Sequence, residues 1–150
     1  MKVDIVKFLN IFSNMKGKVS YSLGAKAESM TQDSHDIKEI DCSGFIRFSL
    51  YKSVSYLKGL PDGSVQIHSW CKQQGFYKLN SYHDIVNTVK DPNRLFLAFL
   101  EPHSGHPGHI WAVYKGETLE SRGSAGVSSR PWDSKILLNA SECFELPLTD

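Results

Sequence analysis

A chain of 150 residues with 41% hydrophobic and 22% charged side chains has the size and make-up of one soluble globular domain. Seventeen basic against sixteen acidic residues leave a net charge of +1, which excludes the strongly basic surface of a nucleic-acid binder. No apolar run approaches the ~20 residues of a membrane span. The three cysteines, Cys42, Cys71 and Cys143, have no paired spacing, so neither a disulfide framework nor a four-cysteine zinc site is indicated and at least one thiol should be free. Met1 to Lys7 lacks the apolar stretch and small-residue cleavage site of a signal peptide, which reads as a cytoplasmic product.

From Asp4 to Met15, apolar Ile5, Phe8, Leu9, Phe12 and Met15 recur at intervals of three and four, predicting an amphipathic helix stopped at Gly17. Lys18 to Gly24 reads as a short extended segment leading into a polar loop from Ala25 to Asp36. The spacing of Phe45, Ile46, Phe48 and Leu50 predicts a second helix from Ser43 to about Leu57, ending near Gly59 with Pro61 beyond it. Asp62 or Ser64 can cap a third helix, with Val65, Ile67, His68 and Cys71 on its inner face and Gly75 at its end; Cys71 is expected in the core. Ser81 to Val89 reads as a short helix stopped by Asp91-Pro92.

Beyond Asn93 the periodicity changes. Leu95 to Leu100 is a continuous apolar run of strand length between Pro92 and Pro102. A loop rich in histidine, glycine and proline leads to a second strand, His109 to Tyr114, and Gly116-Glu117 turns into a third, Thr118 to Ser121. After a loop through Arg130-Pro131-Trp132, a final strand covers Cys143 to Pro147. Helices first and hairpin-connected strands afterwards predict an α+β domain, residues 1–150, with an antiparallel sheet.

Cys42 stands between an acid and two small residues in Ile40-Asp41-Cys42-Ser43-Gly44-Phe45, directly before the helical run. Its sulfur then lies at a helix N-terminus, where unpaired N–H groups and the macrodipole favour a thiolate nucleophile; the alternative is a small apolar core residue. Such a nucleophile needs a base, and the base a group to orient it. Of six histidines, His109 opens a strand after a flexible loop and is the candidate base, or else an ordinary histidine at a strand edge. Glu120 on the neighbouring strand could accept the imidazole's other N–H, or be a solvated glutamate paired with Arg122. Ser121 takes its place if the register slips by one. Period-two alternation puts Trp111 on the face of His109, where it should crowd the nucleophile helix or wall the cleft. His103, His106 and His109 also recur at intervals of three and could ligate zinc if an acid or cysteine joined them. Pro107 and the flanking glycines break a helix there, and a mobile loop over the cleft accounts for the same residues, so no metal and no cofactor is expected.

Asp41-Cys42-Ser43-Gly44-Phe45 resembles the nucleophile motif of the NlpC family, papain-like cysteine peptidases that cut bacterial cell-wall peptides. Gly108-His109-Ile110-Trp111-Ala112-Val113 is similar to that family's Gly-His-Val-Gly/Ala-Ile/Val motif, with Trp111 where the family usually has a small residue. Tyr21 through Gly24 match a Tyr-x-x-Gly segment that helps line the family's substrate site, although a packed aromatic bonded to a carbonyl fits as well. Glu120 occupies the hairpin position where the family commonly has histidine. Asp41 and Ser43 match an acid and a hydroxyl that, in some members, help bind a free peptide amine; helix capping is their other role.

The resemblance, from Tyr21 to about Val127, implies a papain-like (NlpC-type) α+β fold with N-terminal helices and the nucleophile helix packed on an antiparallel sheet. It implies a peptidoglycan hydrolase with Cys42, His109 and Glu120 catalytic and Tyr21, Asp41, Ser43 and Trp111 on the substrate side. The substrate would be the stem peptide, cut between γ-D-glutamate and the diamino acid. A small chain without a wall-binding module resembles type VI secretion amidase effectors and phage or prophage lytic enzymes. Such a protein would be a monomer made in the cytoplasm, acting in the periplasm or cell wall after delivery, and an effector would have an immunity protein as partner. The same machinery also serves deamidases, acyltransferases and transglutaminase-like toxins acting on proteins. A non-enzymatic binding module is the remaining alternative.

Overall fold

The computed structural model describes residues 1–55, 57, 59–79, 82–132, 140 and 142–150. Asp4 caps the first helix, α1 (Ile5–Met15), by accepting from the Lys7 N–H, and Phe8, Phe12 and Met15 on its inner stripe are buried. Helix α2 (Cys42–Ser53) begins with the candidate nucleophile and is buried on most of its surface, so its apolar residues show little periodicity. Helix α3 (Ser64–Gln74) follows, then a two-residue strand β1 (Lys78–Leu79) and a short helix α4 (Tyr82–Thr88). The remaining strands are β2 (Leu95–Leu100), β3 (His109–Tyr114), β4 (Glu117–Arg122), β5 (Gly126–Ser128) and β6 (Glu142–Leu146).

These form one six-stranded antiparallel sheet in the order β1-β6-β2-β3-β4-β5. One face, with Leu97, Phe99, Ile110, Ala112 and Phe144, packs on Phe8, Phe45, Ile46 and Phe48 of the N-terminal helices. The other, with Phe96, Ala98, Trp111, Val113 and Cys143, meets Val89, Trp132 and, from α4, Ile85 and Val86. Cover on both faces explains why β2 is apolar at every position instead of alternating. Each fully buried Phe or Leu contributes about 1.5–3 kcal/mol relative to exposure.

Several boundaries differ from the sequence reading. Helix α2 stops at Ser53, short of Leu57: the Ser53 carbonyl accepts from the Asp4 N–H at 2.7 Å, and Val54 turns extended to pair with Val3. The N-cap of α3 is Gly63, with no side-chain cap, because the Asp62 carboxylate turns to Lys26 at 3.2 Å. Val65 is 49% exposed, leaving Ile67, His68, Trp70 and Cys71 as the inner face. The β3–β4 turn is Lys115-Gly116, both at positive φ, so β4 starts one residue earlier than read. Ser81 of the fourth predicted helix lies outside the described residues.

The segment before Tyr21 is held on two sides. Ser20 pairs in parallel with Glu39, its N–H donating to Lys38 and its carbonyl accepting from Ile40. Val127 of β5 donates to the Val19 carbonyl at 3.0 Å. Tyr21 is thereby carried alongside the residues that enter α2.

Candidate active site

Asp41, in extended conformation, is the N-cap of α2: its Oδ1 accepts from the Gly44 N–H at 2.7 Å. Cys42 is the first helical residue and is 9% exposed. The helix start depends on Gly44, because a Cβ there would sit 2.8 Å from Asp41 Oδ1 and 3.1 Å from the Ala25 carbonyl oxygen. The small residue in this motif therefore lets the loop at Ala25 and the capping carboxylate close over the first turn.

His109 opens β3 opposite Leu100, where a Cβ on the preceding Gly108 would come within 2.8 Å of the Leu100 carbonyl. Its Nε2 is 2.8 Å from Glu120 Oε1, which leaves the ring's other nitrogen unused by the carboxylate. Burial works to lower the imidazole pKa, but the hydrogen bonds and charges of Cys42 and Glu120 outweigh it and raise the group to about 9. Glu120 is fully buried. Burial pushes its pKa up, while hydrogen bonds with His109, Thr118 and Arg130 reverse that and hold the carboxyl below its ordinary value. Ser121 faces the opposite side of β4, donating to the Ile40 carbonyl at 2.7 Å, so Glu120 and not Ser121 bonds the imidazole.

Glu120 does not pair with Arg122 in the manner of a solvated strand residue; the arginine it pairs with is Arg130, with Nε 2.9 Å from Oε2 and Nη2 3.1 Å from Oε1. Arg130 is fixed through Thr118: the Thr118 N–H donates to its carbonyl, and its own N–H donates to Thr118 Oγ1. Sequence reasoning passed over this arginine as part of a loop. Nothing in its neighbourhood, Ser129-Arg130-Pro131, signals that β5 folds back to bring it beneath β4.

Tyr21, Asp41 and Ser43 come together at the same helix end. The Tyr21 pKa is raised, first by burial and then by the charges of Cys42 and Asp41. Lys26, also unremarked in the sequence, lays its ammonium on Asp41 at 2.6 and 2.7 Å and on Ser43 Oγ at 2.9 Å. Its one prior signal was being the sole lysine or arginine between Ala25 and Asp36.

Trp111 does not crowd α2 or stand open as a cleft wall. It is 2% exposed in the far-side core, tilted against Trp132, with its ring stacked on the imidazole of His109 at 5.2 Å between centroids. Its position backs the imidazole. His103 and His106 stack on each other at 4.8 Å, their backbones joined by reciprocal hydrogen bonds, in an exposed turn separate from the His109 pairing. Among the described residues the group with metal-ligand spacing is instead His68, Glu101 and Glu142, where Glu142 already accepts from His68 at 2.9 Å and pairs with Lys72 and Lys78. Cys71 and Cys143 are fully buried, and burial pushes both thiols up to about 12.

The arrangement is a sulfur at a helix N-terminus, an imidazole whose pKa that cysteine helps to raise, and a buried carboxylate bonded to the imidazole. It can hold a thiolate–imidazolium pair and relay a proton. No protein-family model matches the chain. No curated protein matches it either. Among solved structures it is similar to the P60 domain of an antigen from M. avium subspecies paratuberculosis, with a TM-score of 0.59, 21% identity, and coverage of 97% of this chain and 95% of that one. At that identity the likeness speaks to the fold, which is the mixed helix and antiparallel-sheet fold of NlpC/P60 domains.

Proposed function

We propose that this protein is a cysteine hydrolase of peptidoglycan that cuts an amide bond in the stem peptide, between γ-D-glutamate and the diamino acid. The observation that carries this reading is His109 Nε2 bonded to the buried Glu120 at 2.8 Å while Cys42, at the first position of α2, acts on the same imidazole to raise its pKa. The NlpC/P60 fold supports the wall peptide as substrate class.

In this reading the Cys42 thiolate attacks the amide carbonyl carbon, and the oxyanion is held by the backbone N–H of Cys42 at the first position of α2. The imidazolium of His109 gives its proton to the leaving amine as the C–N bond breaks, leaving a thioester on Cys42. Neutral His109 then takes a proton from water, whose oxygen attacks the thioester, and the thiolate and the free acid are released. Glu120 keeps the ring in place and stabilises its cationic form. The setting is delivery into the periplasm or wall, as an antibacterial effector with an immunity protein or as a phage lytic enzyme; a neighbouring immunity gene distinguishes the first from the second.

Mass spectrometry of purified peptidoglycan fragments incubated with wild type and with Cys42→Ala tests the proposal. New peptide masses seen with the wild type alone identify the bond. No cleavage of any wall type, with Cys42 still rapidly alkylated, would remove the wall substrate and favour a deamidase or acyl transfer on protein.

A further inference from the structure

The carboxylate next to the nucleophile is already occupied. Asp41 has two oxygens with room for about four hydrogen bonds. Oδ1 accepts from the Gly44 N–H at 2.7 Å, from Lys26 Nζ at 2.7 Å and, more distantly, from Ser43 Oγ at 3.4 Å. Oδ2 accepts from the Gly24 N–H at 3.2 Å and from Lys26 Nζ at 2.6 Å. No acceptor position remains for a substrate group.

The ammonium is equally committed. Besides Asp41 it donates to Ser43 Oγ at 2.9 Å and lies 3.2 Å from Asp62 on the connection into α3. Lys26 thus spans from the loop after Tyr21 to the far side of the helix start, with 31% of its side chain exposed above an Asp41 side chain at 8%. Asp41 and Ser43 form a cradle whose chemistry is shown by its occupant: it binds a primary ammonium. A second ammonium entering from a substrate would have to displace Lys26 and then lie beside it, so it meets like charge in place of a free carboxylate. A neutral acylated amine meets no such repulsion.

Resting on the hydrolase reading above, we propose that Lys26 is a specificity-determining residue that fills the cation subsite beside Cys42, so that this protein takes peptides whose amine on the acyl side is already acylated and rejects those with a free α-ammonium. In the wall this class is the stem peptide still joined through an amide to its glycan, as opposed to a peptide already released from it. Specificity arises here from an internal repulsive element.

Two measurements decide it. The first compares kcat/KM for N-acetylated and free-amine forms of L-alanyl-γ-D-glutamyl-diamino acid, with wild type, Lys26→Met and Lys26→Arg. Wild type and Lys26→Arg are expected to prefer the acetylated peptide by roughly tenfold or more, and Lys26→Met, with Asp41 uncovered, to lose or invert that preference. The second needs no hydrolysis: the labelling rate of Cys42 by cationic aminoethyl methanethiosulfonate relative to neutral methyl methanethiosulfonate, read by peptide mass spectrometry. That ratio is expected to rise roughly tenfold in Lys26→Met. Equal use of both peptides by wild type, or a labelling ratio unchanged by Lys26→Met, overturns the assignment. If neither peptide is cut, the hydrolase reading falls, and the labelling ratio alone still decides whether Lys26 fills a cation subsite.

Discussion

Arg130 holds Glu120 with two nitrogens, Nε on Oε2 at 2.9 Å and Nη2 on Oε1 at 3.1 Å, so the carboxylate behind the imidazole is itself clamped from a different strand connection. Removing the clamp leaves a buried carboxylate oxygen short of a donor, at a cost of about 1–3 kcal/mol. Arg130→Ala is expected to lower the thermal midpoint and to reduce kcat more than it raises KM. Arg130→Lys should recover part of the stability and little of the kcat, because a lysine supplies the charge without the planar fork. Parallel thermal melts and steady-state kinetics check both.

The His109 pKa of about 9 sets a pH signature. A histidine whose folded pKa is raised contributes stability that is fully present below its unfolded value, near 6.5, and lost as pH climbs through about 9. The urea midpoint of the wild type is therefore expected to fall between pH 6.5 and 9 more steeply than that of His109→Gln. In Glu120→Gln one of the two partners that raise the group loses its charge, so the imidazole titration, followed by NMR, should move down from about 9. A midpoint unchanged in Glu120→Gln would detach the carboxylate from the imidazole's electrostatics.

The three thiols should separate in reactivity. Cys71 and Cys143 sit in apolar cores with their pKa values pushed to about 12, whereas Cys42 lies at a helix start. Iodoacetamide at neutral pH is expected to add once to the folded wild type, at Cys42, and not at all to folded Cys42→Ala within the same time. Intact-protein mass spectrometry reads the count directly.

Gly44→Ala tests how the helix start is built. The added methyl meets Asp41 Oδ1 at 2.8 Å and the backbone carbonyl of Ala25 at 3.1 Å, and backbone cannot swing aside as a side chain can. Displacing the capping carboxylate costs about 1 kcal/mol by itself, and kcat should fall as well because Cys42 shifts with its helix. A variant with wild-type stability and rate would show that the loop at Ala25 yields without consequence.

What the sequence made legible follows from how local each signal was. The helix start at Cys42 is declared by Asp41 and Gly44 within a few residues, and β2 and β3 match their predicted bounds because prolines and a glycine frame them. His109 and Glu120 could be paired from hairpin logic although the turn was read at Gly116-Glu117 and is Lys115-Gly116, because both are two residues long and leave Glu120 on the same face; Ser121 was the alternative had the register slipped by one. Strands β1 and β5, two and three residues long, carry no periodicity to read. The early end of α2 depends on Val3 and Asp4, far away in the chain. Trp111 was assigned to the right face, but what covers that face, Val89, Trp132 and α4, is a tertiary fact. Arg130 and Lys26 are ordinary surface-type residues in loops, and only the folded backbone reveals that each ends on a buried carboxylate.

The order in which the site's members occur along the chain has a temporal consequence. Cys42 emerges early, while His109, Glu120 and Arg130 all belong to the second half and meet it only once β3, β4 and β5 have paired. A nascent chain that has not yet reached Arg130 therefore holds Cys42 without the residues that β3, β4 and β5 bring to it.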